Sequence, residues 1–281
     1  MEKWYDKYLG IYGRPFEDVP DDVIASTRER LAAMQSPQPV VSVVVIARNE
    51  ETHLQACLWS LSEMRTHWPV EVIGVDNDSS DRTAEVYARA GIPCYTELQH
   101  SCGYARRCGL QHARGKYYFC IDSDTLYPPE YVERMMEVLT RPGVVCVSSL
   151  WSYIPDSRHS RAGLLFYEWC RDLFLFVQHF KRPELSVRGL VFAYNADYGR
   201  KEDYRVDIIR GEDGSMALSL KKYGRIAFLR NRKARAVTGY GTMGQAGMMK
   251  SLLNSVSTQM KGITRIFHKT DHYDDQPENL V

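Results

Sequence analysis

Asp122 and Asp124, one residue apart at the end of the apolar run Tyr117-Tyr-Phe-Cys-Ile121, are the side chains of this sequence best placed to do chemistry. Side chains alternate faces along a strand, so acids at these two positions lean the same way off its C-terminal end. A pair of hard oxygen ligands held there can bind Mg²⁺ or Mn²⁺ while leaving coordination positions for phosphate oxygens. The chemistry suits a nucleoside diphosphate.

Two further acidic clusters accompany the pair. Asp76-Asn77-Asp78-Ser79-Ser80-Asp81 follows the apolar run Val70 to Val75 and by itself reads as a turn and helix cap. Its likeness to a calcium loop fails, because Asp81 stands where glycine is required and Tyr87 where the bidentate glutamate belongs. Gly211-Glu212-Asp213 opens a helix, where the dipole favours acids and is expected to keep Asp213 ionised and therefore a weak base. Of the eight histidines only His268 and His272 form a His-x-x-x-His pair; a zinc site is not expected, and neither is assigned as a ligand.

Positioning these acids requires strands that end at a common edge. Val40 to Ile46, Val70 to Val75, Ile92 to Tyr95, Tyr117 to Ile121 and Val144 to Ser148 read as strands. Helices are expected between them: the segment after Asn49, with Asn49 as its cap and Leu54, Cys57, Leu58 and Leu61 as its stripe, then Asp81 to Ala90, Gly103 to Ala113, and Glu130 to Leu139. Strand–helix alternation at this spacing predicts parallel β-α-β units whose ligands gather at the carboxyl ends of the strands. The acids after Val75 and Ile121 both fall on that edge.

Outside this series, residues 1–39 form a polar preface with one helix, Asp21 to Met34, capped by Pro20-Asp21-Asp22, and no chemistry is assigned to it. After residue 150 the alternation gives way to an apolar helix, Leu164 to Phe180, with Phe166, Trp169, Leu173, Phe176, Val177 and Phe180 on one side. That side is expected to pack into the core, with a membrane-touching or acceptor-groove surface as the alternative. Gly189 to Tyr194 and Arg225 to Leu229 read as strands and Asp213 to Tyr223 as a helix. Gln245 to Phe267 reads as an amphipathic helix and Asp271 to Val281 as a polar tail.

With 281 residues, 44% of them hydrophobic, the chain can bury one large core. Thirty-six basic against thirty-five acidic residues leave no global basic footprint, so nucleic acid is not an expected partner. Arg106-Arg107 and the run Arg230 to Arg235 remain local anion or membrane-surface contacts, and Arg106 could face a diphosphate or only solvate a surface. Seven scattered cysteines with no Cys-x-x-Cys pair fit free thiols in a reducing cytoplasm. No secretory leader and no spanning segment are apparent in the sequence.

Four segments occur in a telling order: Val43-Val-Val-Ile-Ala-Arg-Asn-Glu-Glu, Val75-Asp-Asn-Asp-Ser-Ser-Asp-Arg-Thr, Asp122-Ser-Asp124 and Gly211-Glu212-Asp213. Together they resemble the family 2 glycosyltransferases over roughly residues 40–230: an opening strand with its Asn-Glu turn, a nucleotide-side acidic segment, a DxD motif and an acceptor-side Glu-Asp pair. The resemblance implies the GT-A fold, an α/β, Rossmann-like, mostly parallel sheet with helices on both faces and an acceptor-side α/β extension. It implies that Ile46, Arg48 and Glu50 border the nucleotide and that Asp76 bonds the base. It further implies that Asp122 and Ser123 lie along the ribose and diphosphate, that Asp124 with Asp122 holds the metal, and that Asp213, beside Glu212, is the catalytic base. Cys108 stands where the family often has asparagine in an Arg-Asn pair and Asp78 where it usually has a turn glycine, departures that leave the nucleotide preference open.

The expected organisation is a preface (1–39), a transferase domain (40–240, with a nucleotide-sugar half, 40–148, and an acceptor half, 149–240) and a C-terminal helix with its tail (241–281). The expected activity is metal-dependent, inverting transfer of one sugar from a nucleoside-diphosphate sugar, a UDP-sugar first, to a sugar or lipid-linked acceptor in cell-surface polysaccharide or glycolipid synthesis. The Gln-x-x-Arg-Trp motif of chain-extending synthases is missing, since no tryptophan follows Trp169. A cytoplasmic enzyme with room for peripheral contact at the inner membrane face is expected. The competing readings are an inactive nucleotide-sugar binder on the same fold and, because Phe119-Cys-Ile-Asp122-Ser-Asp124 also resembles their first motif, a haloacid-dehalogenase-type phosphatase.

Overall fold

β1 (Val41–Ala47) and β2 (Val70–Asp76) are buried along their whole length and are interior strands of a seven-stranded sheet in a computed structural model that describes residues 3–155, 161–208 and 211–240. Their largely apolar, β-branched sequences, interrupted by Ser42 in β1 and by Glu71 and Gly74 in β2, suit this position, because both faces of the strands are covered by helices. Along β1, Val43 and Val45 point into the cluster that holds Leu54, Leu58 and Met135, while Val44 and Ile46 point into the one that holds Ala105, Leu110 and Met216. The first cluster takes α2 (Glu51–Ser62), α3 (Thr83–Ala90) and α5 (Tyr131–Leu139). The second takes α4 (Cys102–His112) and α8 (Glu212–Leu220).

The strand order is β3-β2-β1-β4-β8-β6-β9, with β3 (Cys94–Thr96), β4 (Tyr117–Asp122), β6 (Val144–Ser149), β8 (Phe192–Asn195) and β9 (Arg225–Leu229). β1 to β4 pair in parallel, as the alternation predicts. β8 then inserts antiparallel between β4 and β6. It is shorter than the strand read from sequence, since Gly189–Val191 is a 3₁₀ turn. A second sheet unseen in the sequence joins β5 (Thr125–Leu126), β10 (Ala236–Thr238) and β7 (Trp151–Tyr153), with β10 in the middle. The remaining helices are α1 (Asp21–Met34), α6 (Arg161–Lys181) and α7 (Ala196–Glu202). Among the described residues no helix is long and apolar enough to cross a membrane.

Three local expectations are corrected. Pro20-Asp21-Asp22 supplies no side-chain cap to α1. Asn49 does not cap α2: it adopts φ 55° and its Oδ1 accepts from the Ser80 amide at 2.8 Å. The α2 end is served instead by Asp81, which accepts from the Glu51 amide at 3.1 Å, while Glu51 accepts from the Arg82 amide at 2.8 Å. Each helix start thus satisfies an orphan donor of the other, which ties the loops after β1 and β2 together.

The third correction concerns α6. Phe166, Trp169, Leu173, Val177 and Phe180 are exposed rather than packed inside, as is Leu165, and the helix buries Glu168, Asp172 and Gln178 with Leu164, Tyr167 and Leu175. The polar network beneath the helix accounts for the inversion. Glu168 accepts from the Tyr153 amide at 2.8 Å and from Ser152 Oγ at 2.9 Å, and Asp172 pairs with Arg235 and, at 2.9 Å, with Arg171. Turning the apolar side inward would strand these donors. The helix expected at Gln245 to Phe267 and the polar tail fall outside the described residues.

Candidate active site

The carboxyl ends of β2, β1 and β4 bring three of the expected residues into one row. Ala47 is in register with Asp76, and Ile46 with Val75 on one side and Asp122 on the other. Asp76 is buried and its Oδ1 accepts from the Ser79 amide at 3.3 Å. Asn77 fixes the neighbouring wall, donating to the Glu97 and Gln99 carbonyls at 2.9 and 2.8 Å. Arg48, on the rim, contacts His100 at 2.8 Å, and His100 in turn contacts Asp78 at 2.8 Å. A bridge thus crosses the open end of the row.

Asp122 and Asp124 lie where β4 gives way to β5, with the Ser123 between them buried. The Asp124 carboxyl is pushed up to about 6, first by burial and then by the charges of Asp122 and Glu50. Such repulsion between carboxylates is what a bound cation offsets, so the donor set fits a divalent metal. Among the described residues no three Asp, Glu, His or Cys side chains converge into a closed cage. Two of the residues around Asp124 were not legible as site residues. Tyr12, in the preface, donates to the Asp124 carbonyl at 2.6 Å and packs on His53 at 4.6 Å. Thr125 Oγ1 donates to Asp124 Oδ1 at 3.1 Å and lies within hydrogen-bond distance of Thr238 Oγ1 at 3.0 Å, anchoring the acid to the second sheet.

Arg106 neither sits on the surface nor opens to solvent. It is 1% exposed, donates through Nη1 to the Ile121 carbonyl at 3.0 Å and through Nη2 to Asp122 Oδ1, and approaches Asp213 Oδ1 with Nε at 3.8 Å. α4 carries it across the sheet edge from α8, so a single guanidinium lies between the acids of the two halves.

Asp213 occupies the first turn of α8 behind Gly211, whose φ of 93° needs a residue without a Cβ. Its carboxyl is pushed well above the usual range by burial and next by Glu212, against the opposing pull of Arg106. This reverses the expectation of an ionised carboxylate that is only a weak base: desolvation outweighs the helix dipole. Asp213 Oδ1 and Arg106 Nε both lack a hydrogen-bond partner among the described residues. Gly189 makes the close approach feasible. A Cβ there would lie 2.1 Å from Asp213 Oδ2 and 2.8 Å from Arg106 Nη2. Nothing in the sequence around Gly189 signals this.

Residues 42–195 match the model of the family described as glycosyl transferase family 2. Among curated proteins the chain is similar to an uncharacterised glycosyltransferase of Rickettsia prowazekii, 26% identical over 141 residues that make up 45% of this chain and 44% of that protein. It is also similar to the putative glycosyltransferase EpsH of Bacillus subtilis, 34% identical over 103 residues, 35% of this chain and 30% of that one. The chain thus spans less than half the length of these relatives. Among solved structures it resembles the mannosyltransferase PcManGT of Pyrobaculum calidifontis, in complex with GDP-Man and Mn²⁺, at a TM-score of 0.61 and 17% identity over 89% of this chain and 73% of that one. Glucosyl-3-phosphoglycerate synthase of Mycobacterium tuberculosis, in complex with Mn²⁺, UDP-Glc and phosphoglyceric acid, gives a TM-score of 0.51 and 18% identity over 85% and 84%. The fold is GT-A.

Proposed function

Because the chain belongs to glycosyl transferase family 2, we propose that it transfers one hexose, non-processively and with inversion, from a nucleoside-diphosphate sugar to a hydroxyl of a sugar or lipid-linked acceptor. The observation that carries this reading is the convergence of the Asp122–Asp124 pair and the buried Asp213 on either side of Arg106. UDP-sugars are the first choice of donor, and a cytoplasmic location is supported by seven unpaired cysteines.

In this account Asp76 reads the base, Ile46, Arg48 and Glu50 border the nucleotide, and Ser123 and Asp122 follow the ribose and diphosphate. Asp124 and Asp122 would hold Mn²⁺ or Mg²⁺, which as a Lewis acid offsets the charge left on the departing diphosphate. Asp213 takes the proton of the acceptor hydroxyl, with Glu212 beside it on the acceptor side. Burial makes Asp213 a stronger base once it is ionised, and proton removal by a placed carboxylate contributes typically ~10²–10⁴-fold. Arg106 holds Asp122 and steadies Asp213 as its charge changes. The family match leaves the phosphatase reading without support, and the buried Asp213 argues for turnover over binding alone.

The test is a transfer assay on purified protein with a panel of UDP-, GDP- and CDP-sugars, simple glycosides and polyprenyl phosphates, with Mn²⁺ and with chelator. Metal-dependent release of one nucleotide supports the proposal. Sugar-nucleotide binding without transfer to any acceptor or to water would favour the inactive binder.

A further inference from the structure

The outward side of α6 is an apolar stripe with nothing over it among the described residues. Leu165, Phe166, Trp169, Leu173, Val177 and Phe180 follow one another at helical spacing, with Phe166 61%, Trp169 62% and Phe180 73% exposed. Scattered exposed apolar side chains are ordinary, but a continuous apolar stripe along a 21-residue helix is an interaction surface. The only acids on this helix, Glu168 and Asp172, are turned inward and neutralised by Arg171 and Arg235. The stripe is therefore free of negative charge.

Its rim is basic. The Arg230 guanidinium lies 4.6 Å from the centre of the Phe176 ring and Arg235 pairs with Glu168 and Asp172, which places both ends of the run Arg230 to Arg235 beside the helix. That run contains four basic residues and no acid. Lys233 pairs with Glu130 at 2.8 Å, whereas exposed Arg230 and Arg232 have no carboxylate partner among the described residues.

From this arrangement we infer that α6 docks in the interfacial layer of an anionic lipid bilayer. Phe166, Trp169 and Phe180 enter the headgroup–acyl boundary, and Arg230 and Arg232 meet lipid phosphates. Aromatic tips beside unpaired arginines match this layer, where the rings sit at the boundary and each cation is drawn to negative headgroups. A second copy seated on the same face would bring two basic rims together with no acid between them. Docking also has a route to the acid cluster: Glu168 holds β7, β7 pairs with β10, and Thr238 of β10 is hydrogen-bonded to Thr125 beside Asp124. The inference does not depend on the transfer reading, and its test reads lipid binding and not activity.

The full chain is floated with vesicles of phosphatidylcholine alone and of phosphatidylcholine with phosphatidylglycerol. The wild type should partition onto the anionic vesicles and lose binding at high salt. Phe166→Ser, Trp169→Ser and Phe180→Ser combined should lower the partition coefficient by on the order of 100-fold, while the melting temperature and circular dichroism stay unchanged because the replaced side chains are exposed. Arg230→Gln and Arg232→Gln should each cost about five-fold on anionic vesicles and little on neutral ones. Absence of wild-type flotation, or equal flotation of the triple variant, would overturn the proposal. So would a wild-type dimer that the triple variant dissociates, which assigns the face to a second copy, or binding that appears only after residues 241–281 are deleted, which assigns it to that segment.

Discussion

Arg106 Nε and Asp213 Oδ1 face each other at 3.8 Å, both buried and neither hydrogen-bonded to any described residue. The other side of the same guanidinium is occupied by Asp122 and the Ile121 carbonyl. One cation thus serves two carboxylates, one at the end of β4 and one in the first turn of α8. The longer of its two contacts is the one to the proposed base, whose charge must change during turnover.

Arg106→Met tests that arrangement. Removing the cation leaves Asp122 and Asp213 buried or half-buried without a counter-charge, and the expected loss of folding stability is about 3 kcal/mol or more by urea denaturation. Arg106→Lys should recover part of the stability but little turnover, because an ammonium cannot span three acceptors in fork geometry. Two variants with wild-type stability would show that the guanidinium is not what balances the acids.

Gly189→Ala is expected to separate chemistry from donor binding. The added methyl would sit 2.1 Å from Asp213 Oδ2, so Asp213 or the turn has to move. The destabilisation should be about 1–3 kcal/mol, and kcat should fall while affinity for UDP with Mn²⁺ holds. Wild-type kcat in a folded Gly189→Ala protein would mean that Asp213 does not need its present position.

Asp124 gives a signed pH dependence. Its folded-state pKa is raised to about 6, above that of an unfolded carboxyl, so the protonated form stabilises the fold at low pH and this stabilisation is lost as pH rises through about 6. Metal-free Asp124→Asn should therefore melt above the wild type at neutral pH and converge with it near pH 4, about the unfolded carboxyl value. Mn²⁺ with UDP should raise the melting temperature of the wild type, less so as pH falls below about 6, and leave Asp124→Asn unmoved. A ligand-induced shift of equal size in the variant would remove Asp124 from the metal site.

The parallel half of the sheet was legible because its strands are mostly apolar and its helices have a stripe or a stop such as Gly91, whose φ is 69°. Asp76, Asp122 and Asp124 were legible for the same reason, since a strand end fixes where a following acid must lie. What escaped depends on distant partners. Tyr12 meets Asp124 across 112 residues, and Gly189 matters only because α8 carries Asp213 against it. α6 was read with the wrong side inward, because its apolar periodicity is real while the demand for Glu168 and Asp172 comes from the Tyr153 amide and Arg235. Periodicity identifies a stripe but not what lies opposite it.

Asp213→Asn tests the central claim most directly, because it keeps the shape of the side chain and removes the lone pair that accepts the acceptor's proton. Steady-state kinetics should show kcat reduced by on the order of 10²-fold or more, with the affinity for nucleotide and Mn²⁺ close to wild type and the wild-type product inverted at the anomeric carbon by NMR. The raised pKa adds a signature: wild-type kcat/KM should fall on the acid side at a pH above the ordinary carboxylate range, and this limb should vanish in Asp213→Asn. Near-normal turnover in the variant, or a product of retained configuration, would contradict the assignment of Asp213 as the base and turn attention to Glu212.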